Sequence, residues 1–204
     1  HFTWVDGVLT QAMRTGAFLF VDEANRMPMR TLNVLLGVLS RGAVRLTENG
    51  SEEVVKADGF QVVMAMNLGK AYAVNGLDRA LMDRFSTVLH FDYLDAKHEA
   101  KLLSDRTGID ATLAVKMVKV ANETRKLRRE RQLSAELSPR GLFAWAEKYK
   151  ARKVASAFPS ATIGALVHSA EVTWMHAIAG TDADGYLHDE NAATLRSLIE
   201  AHCS

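Results

Sequence analysis

Ala17-Phe18-Leu19-Phe20-Val21-Asp22-Glu23 is the stretch from which the rest of the chain can be read. Five apolar residues in an unbroken run form the pattern of a parallel strand covered on both faces, because a strand with one wet face alternates apolar and polar positions. Two carboxylates follow at once. They stand at the carboxyl end of the strand, where loops and helix N-termini converge and where open α/β sheets bind ligands. Hydrolysis of a nucleoside triphosphate needs such a pair: one carboxylate can hold Mg²⁺ through its waters, while the next orients the attacking water toward the γ-phosphate. The same two acids could equally cap the turn that follows, so the neighbouring features decide.

Upstream, residues 2–5 are strand-like, Asp6-Gly7 is a turn signal, and Val8, Leu9, Ala12 and Met13 repeat at helical spacing up to Gly16. Downstream, the spacing of Leu32, Leu35, Leu36 and Leu39 predicts a helix over about 29–40, with Gly42 beyond its end. Residues 43–46 and 53–56 flank Asn49-Gly50, a strong hairpin signal. Residues 60–66 read as another buried strand ending at Asn67, a helix follows around 77–83, and a last strand at 87–91. Strands alternating with helices imply a parallel α/β sheet. From Asp95 onward only helical patterns occur, over 95–106, 111–131, 139–153, 160–178 and 191–202. The expected organisation is an α/β domain over 1–94 and an all-helical domain over 95–204.

Composition sets the outer limits. Of 204 residues, 48% are hydrophobic and 24% charged, an ordinary globular balance that excludes a disordered or collagen-like chain. A net charge of +1 gives no global pull toward nucleic acid or an anionic membrane. The single cysteine, Cys203, excludes an internal disulfide and a zinc site built from several thiolates, and fits a reducing, cytoplasmic setting. No apolar stretch approaches the ~20 residues of a membrane span. Because the chain starts at His1 and runs straight into a strand-like segment, an N-terminal part of the domain is expected to precede it.

Three further residues bear on the acidic pair. Asn67 ends an apolar strand, where an amide can hydrogen-bond both water and phosphate. Arg84, in Leu81-Met82-Asp83-Arg84-Phe85, precedes the expected last strand, and Arg140 opens a helix of the second domain. Taken in order, these segments resemble the AAA+ ATPases, in the branch of MoxR-like proteins, the cobaltochelatase subunit CobS and dynein-related ATPases. Residues 18–26, ending Asp22-Glu23-Ala24-Asn25-Arg26, are similar to that branch's Walker B motif, and Asp6 to Gly16 to the segment before it. Residues 62–67 resemble the sensor 1 strand, residues 77–85 the arginine-finger segment, and Leu137-Ser138-Pro139-Arg140-Gly141 the start of the sensor 2 helix.

The resemblance implies a P-loop NTPase core followed by a helical lid, with ATP and Mg²⁺ as cofactors. It implies Asp22 for Mg²⁺, Glu23 for water, Asn67 as sensor 1, Arg140 as sensor 2 in cis, and Arg84 as an arginine finger for a neighbouring subunit, with Arg79 the second candidate. It further implies a homo-oligomeric, hexameric ring that remodels a client protein or drives metal or cofactor insertion, with a von Willebrand A-domain protein as a possible partner. One departure stands out: no Gly-x-x-x-x-Gly-Lys-[Ser/Thr] occurs, and Gly69-Lys70-Ala71 is no substitute. The core is therefore expected to lack its first strand and P-loop here, and this piece alone to be inactive. Two rivals stay open, a nucleic-acid-processing NTPase and a non-hydrolysing assembly subunit. Glu48, Glu52 and Glu53 make the hairpin acidic, which disfavours nucleic acid, and the presence of Glu23 disfavours the dead subunit.

Weaker signals read as structure. Asp182-Ala183-Asp184-Gly185 has a calcium-loop flavour but lacks acidic residues where the first and last ligands belong. The histidines show no metal-binding spacing, and His90 is expected to be a core or edge residue. Arg125, Lys126, Arg128, Arg129 and Arg131 are expected to form a solvated face near a helix end, and Trp145 and Trp174 to be core.

Overall fold

The computed structural model describes residues 3–67, 79–154, 163–181 and 188–204. Gly69-Lys70, Leu77, Asp78 and the Asp182–Gly185 loop lie outside the described residues. The chain divides into two compact units, His1–His90 and Phe91–Ser204.

The first unit begins with helix α1, Val8–Thr15, which Gly16 ends in the left-handed conformation. A glycine is required there: at φ +71°, a Cβ on Gly16 would lie 2.1 Å from the Asp58 carbonyl oxygen. The loop after the hairpin thus crosses directly over the helix end, and the Ala57 amide donates to the Met13 carbonyl at 2.7 Å. Strand β1, Phe18–Val21, leads through a 3₁₀ turn, Ala24–Arg26, into helix α2, Met29–Arg41, which buries Leu32, Leu35 and Val38. Strands β2, Ala43–Leu46, and β3, Glu52–Val55, pair antiparallel as the hairpin. Strand β4, Gln61–Met64, pairs parallel with β1, with Phe18 opposite Gln61 and Val21 opposite Met64. A short helix, α3, Arg79–Met82, buries Leu81 against Val21, Leu32 and Leu35.

Three expectations for this unit are corrected. Residues 3–5 are not a strand, and Val5 is exposed, since no strand among the described residues lies alongside them. The run after Gly16 is covered on one face only: Leu19 and Val21 turn inward, while Phe18 and Phe20 are 68% and 62% exposed. Residues 87–91 form no strand either. Val88, Leu89 and Phe91 are exposed and His90 is neither core nor a sheet edge, because an apolar run becomes a strand only where a partner supplies the ladder.

The second unit is helical throughout its described residues. Helix α4, Ala96–Thr107, starts on an Asp95 cap that accepts the His98 amide, and Gly108 ends it. That hydrogen-bonding to His98 holds the Asp95 carboxyl below its ordinary range. Helix α5, Ala111–Arg129, starts on Asp110, whose carboxylate accepts the Thr112 and Leu113 amides. Helix α6, Pro139–Val154, and helix α7, Ile163–Ala170, follow. Beyond α7 the chain widens into a π-helical turn, Glu171–Met175, before α8, His176–Ala179. Helix α9, Asp189–Cys203, packs back on α5. Trp145 and Trp174 are core residues, set edge to face with ring centroids 5.5 Å apart.

Arg125 departs from the basic face expected around it. It is 1% exposed and its guanidinium forms a fork on the Glu99 carboxylate, both bonds 2.7 Å long. Helical spacing explains this, since Ala114, Val118 and Ala121 precede Arg125 along one buried stripe while Lys126 and Arg129 point outward.

Candidate functional site

The end of β1 is built to expose its acids. The Val21 carbonyl accepts the Ala65 amide at 2.8 Å, and the Ala24 amide donates to the Ala65 carbonyl at 3.0 Å. Between these two ladder bonds the backbone bulges away from β4, carrying Asp22 and Glu23 out of the sheet as exposed side chains. Glu23 reverses the chain with φ 49° and ψ 41°, a left-handed conformation that a side-chain-bearing residue adopts at a cost. Asp22 steadies the turn, its Oδ1 accepting the Glu23 amide at 2.9 Å.

Asn67 lies beside this turn. The buried Asn25 side chain donates its Nδ2 to the Asn67 carbonyl at 3.3 Å, joining the turn after β1 to the residue after β4. Within the first unit the Asn67 backbone is thus tied to the turn that carries Asp22 and Glu23. Two neighbours went unnoticed as separate site residues in the sequence: Asn25, which makes that tie, and Arg26, whose Nη1 sits 3.1 Å from the Glu23 Oε2. Both belong to the trailing Asn-Arg of the acidic motif, which was their one signal in the sequence.

Arg84 is elsewhere. Its Nε donates to the Ser40 hydroxyl at 3.0 Å, at the far end of α2. Ser40 follows Met29 by eleven residues, so at 1.5 Å per residue it lies roughly 16 Å along the helix from the end nearest the acidic turn. Arg79 is exposed at the start of α3. Arg140 is exposed in the first turn of α6, in the second unit, where the Ser138 hydroxyl accepts the Gly141 amide at 3.2 Å and caps the helix start.

The donor set fits Mg²⁺ in one specific way. No group of three or more His, Cys, Asp or Glu side chains converges among the described residues, so these residues form no all-protein cage for a cation. One exposed carboxylate at a strand end matches Mg²⁺ instead, an ion that keeps several waters and takes the rest of its shell from phosphate oxygens. Among the described residues, no helix is long and apolar enough to cross a membrane.

A parallel α/β core with an acidic turn at its strand ends, followed by a helical unit, fits the AAA+ class. Residues 1–85 match the AAA domain of the dynein-related subfamily, and residues 99–177 match the CbbQ/NirQ/NorQ C-terminal family. Together these two matches support a MoxR-like AAA+ ATPase module. It is 30% identical over 125 residues to protein CbbQ of Hydrogenophilus thermoluteolus, covering 61% of this chain and 46% of that protein. It is 34% identical over 143 residues to an uncharacterised protein of Staphylococcus aureus (strain NCTC 8325), covering 67% and 51%. With an uncharacterised protein of Staphylococcus saprophyticus the identity is 31% over 138 residues, again covering 67% and 51%. The chain spans about half the length of the curated relatives it matches.

Proposed function

We propose that this chain supplies the Mg²⁺ and water side of an ATP-hydrolysing site and its helical lid, within a larger AAA+ protein that acts as a ring. The observation that supports this best is the extrusion of Asp22 and Glu23 between two ladder bonds, with Asn67 tied alongside through Asn25. ATP, when bound with Mg²⁺, supplies a γ-phosphoryl group whose transfer to water is the energy source. Asp22 holds the Mg²⁺ through water, and Glu23 orients the attacking water and accepts its proton. Asn67 holds a water or a phosphate oxygen, and Arg140 contacts the nucleotide from the lid of the same chain. Arg84, anchored at the far end of α2, serves a neighbouring subunit. No P-loop motif occurs in these 204 residues, so the phosphate cradle has to come from outside them and this piece alone is inactive. The ring, of hexameric form, remodels a client protein or drives metal or cofactor insertion, with a von Willebrand A-domain protein as partner.

The test is Glu23→Gln in the full-length protein, which keeps size and much of the hydrogen bonding and removes the charge. ATP binding should persist while hydrolysis slows by a factor on the order of 10² or more. Asp22→Asn should instead weaken the Mg²⁺ dependence itself, read as a rise in the Mg²⁺ concentration for half-maximal activity. Turnover by Glu23→Gln at near the wild-type rate would remove Glu23 from this role.

A further inference from the structure

The segment that enters the second unit is pinned to the residues that set Arg140. Tyr93 lies with its ring face over the Arg125 guanidinium, 3.7 Å from centroid to Cζ, and its hydroxyl donates to the Glu136 Oε1 at 2.8 Å. The guanidinium underneath has little hydrogen-bonding capacity left. Besides its fork on Glu99 it donates from Nη1 to the Asn122 Oδ1 at 2.9 Å and from Nε to the Leu137 carbonyl at 3.3 Å. The Leu137 amide donates to the Thr124 hydroxyl at 3.0 Å, so adjacent residues of α5 grip both polar groups of the Leu137 backbone. Ser138, the cap of α6, follows directly, and Arg140 stands two residues further on.

We infer that Tyr93 and Arg125 are positioning residues for Arg140: they join the entering segment, residues 91–95, and the start of α6 into one body. The physical reason is the lack of alternatives. A buried guanidinium that has placed four of its five N–H groups and one of its faces cannot shift without leaving a charge or a carbonyl unpaired. A displacement of Tyr93 is therefore passed to Leu137 and Glu136 instead of being absorbed between them. For the role given to Arg140, the inference rests on the reading under Proposed function. For the mechanical tie it does not.

The experiment uses the full-length protein with two variants. Tyr93→Leu removes the ring from the guanidinium and the hydroxyl from Glu136, and Tyr93→Phe removes the hydroxyl alone. Amide hydrogen exchange should rise over residues 136–141 in Tyr93→Leu, by roughly tenfold for a desolvated cation–π contact, with a smaller rise in Tyr93→Phe. The last turn of helix α9, held beside Lys116 about two and a half turns of α5 away from Arg125, should keep its protection. The KM for ATP should rise in Tyr93→Leu, and the double variant Tyr93→Leu/Arg140→Ala should be no worse than Arg140→Ala, since both act through one side chain. Unchanged exchange at 136–141 in a folded Tyr93→Leu would overturn the tie, and losses that multiply in the double variant would overturn its route through Arg140. Should Tyr93→Leu lose its fold, the same exchange readout on Tyr93→Phe decides. A wild-type protein without ATPase activity, or an Arg140→Ala variant equal to it, would sink the functional reading while the exchange measurement still judged the tie.

Discussion

Arg125 and Glu99 show how much one residue's surroundings outweigh its type. Both charges are out of water, and an isolated buried ion would be costly, but the two-pronged fork and the added acceptors satisfy them together. Removing one member strands the other. Glu99→Gln should lower unfolding free energy by about 3–5 kcal/mol in urea titrations, whereas the apolar pair Glu99→Leu/Arg125→Met should recover most of that loss. A double variant as unstable as the single one would mean that the polar pair has packing value beyond its charges. Cys203 offers a second test at this scale. Burial pushes its thiol up to about 11, and Lys116 offsets only part of this. The folded chain thus holds the proton more tightly than the unfolded chain, so the contribution is present below the ordinary value of about 9 and fades between about pH 9 and 11. Iodoacetamide at pH 8 should label Cys203 on the order of 10² more slowly in the folded protein than in urea, because only the thiolate reacts. Equal rates would show that the site is open.

At the scale of elements, legibility followed the range of the forces involved. Helices α1, α2 and α4 were readable because their apolar stripes and the glycines at 16, 42 and 108 are local signals, and each of those glycines takes the left-handed conformation at a helix end. Strands depend on partners that sequence does not supply. The strand-like segments 3–5 and 87–91 carry a similar signal to β1, yet β1 has β4 beside it and they have no strand beside them among the described residues. The acidic turn was visible as two letters after an apolar run, but its left-handed Glu23 and its tie to Asn67 depend on β4, forty residues away in sequence. Arg125 was hidden among basic neighbours although its place on the helix stripe was there to be counted. The Gly16 crossing is an element-scale device, and Gly16→Ala should destabilise the protein by more than the ~1 kcal/mol of an ordinary glycine exchange, measured by thermal unfolding. The hairpin gives a test against nucleic acid. Glu52 accepts from Arg14 and Asn49, Glu53 lies opposite Arg45 in the ladder, and Glu48 accepts the Thr47 hydroxyl, which lowers its pKa. Carboxylates at such a tip repel phosphate. Duplex DNA and RNA should show no salt-sensitive binding that depends on residues 44–56, and an affinity abolished by replacing the hairpin with a short turn would overturn this.

At the scale of the whole molecule, the role proposed for Arg84 would make assembly part of the chemistry. An arginine held by Ser40 at the far end of α2 is too distant to serve the acidic turn of its own chain, so a role in transition-state stabilisation requires a second subunit. Arginine fingers stabilise the charge spread over the transferring phosphoryl group and contribute ~10³ to 10⁵ in rate, so Arg84→Ala in the full-length protein should lose most of its activity while nucleotide binding survives. Mixing variants separates a trans role from a structural one. Arg84→Ala subunits and Glu23→Gln subunits should each be nearly inactive alone, because every interface then lacks one of the two groups. Combined, some interfaces pair an intact Glu23 with an intact neighbouring Arg84, and activity should return to a fraction set by the mixing ratio. The recovery should also fall on dilution, since it depends on subunits meeting and exchanging. A fully active Arg84→Ala protein, or mixed assemblies that demonstrably form and regain nothing, would remove Arg84 from the interface and make Arg79, exposed at the start of α3, the residue to exchange next.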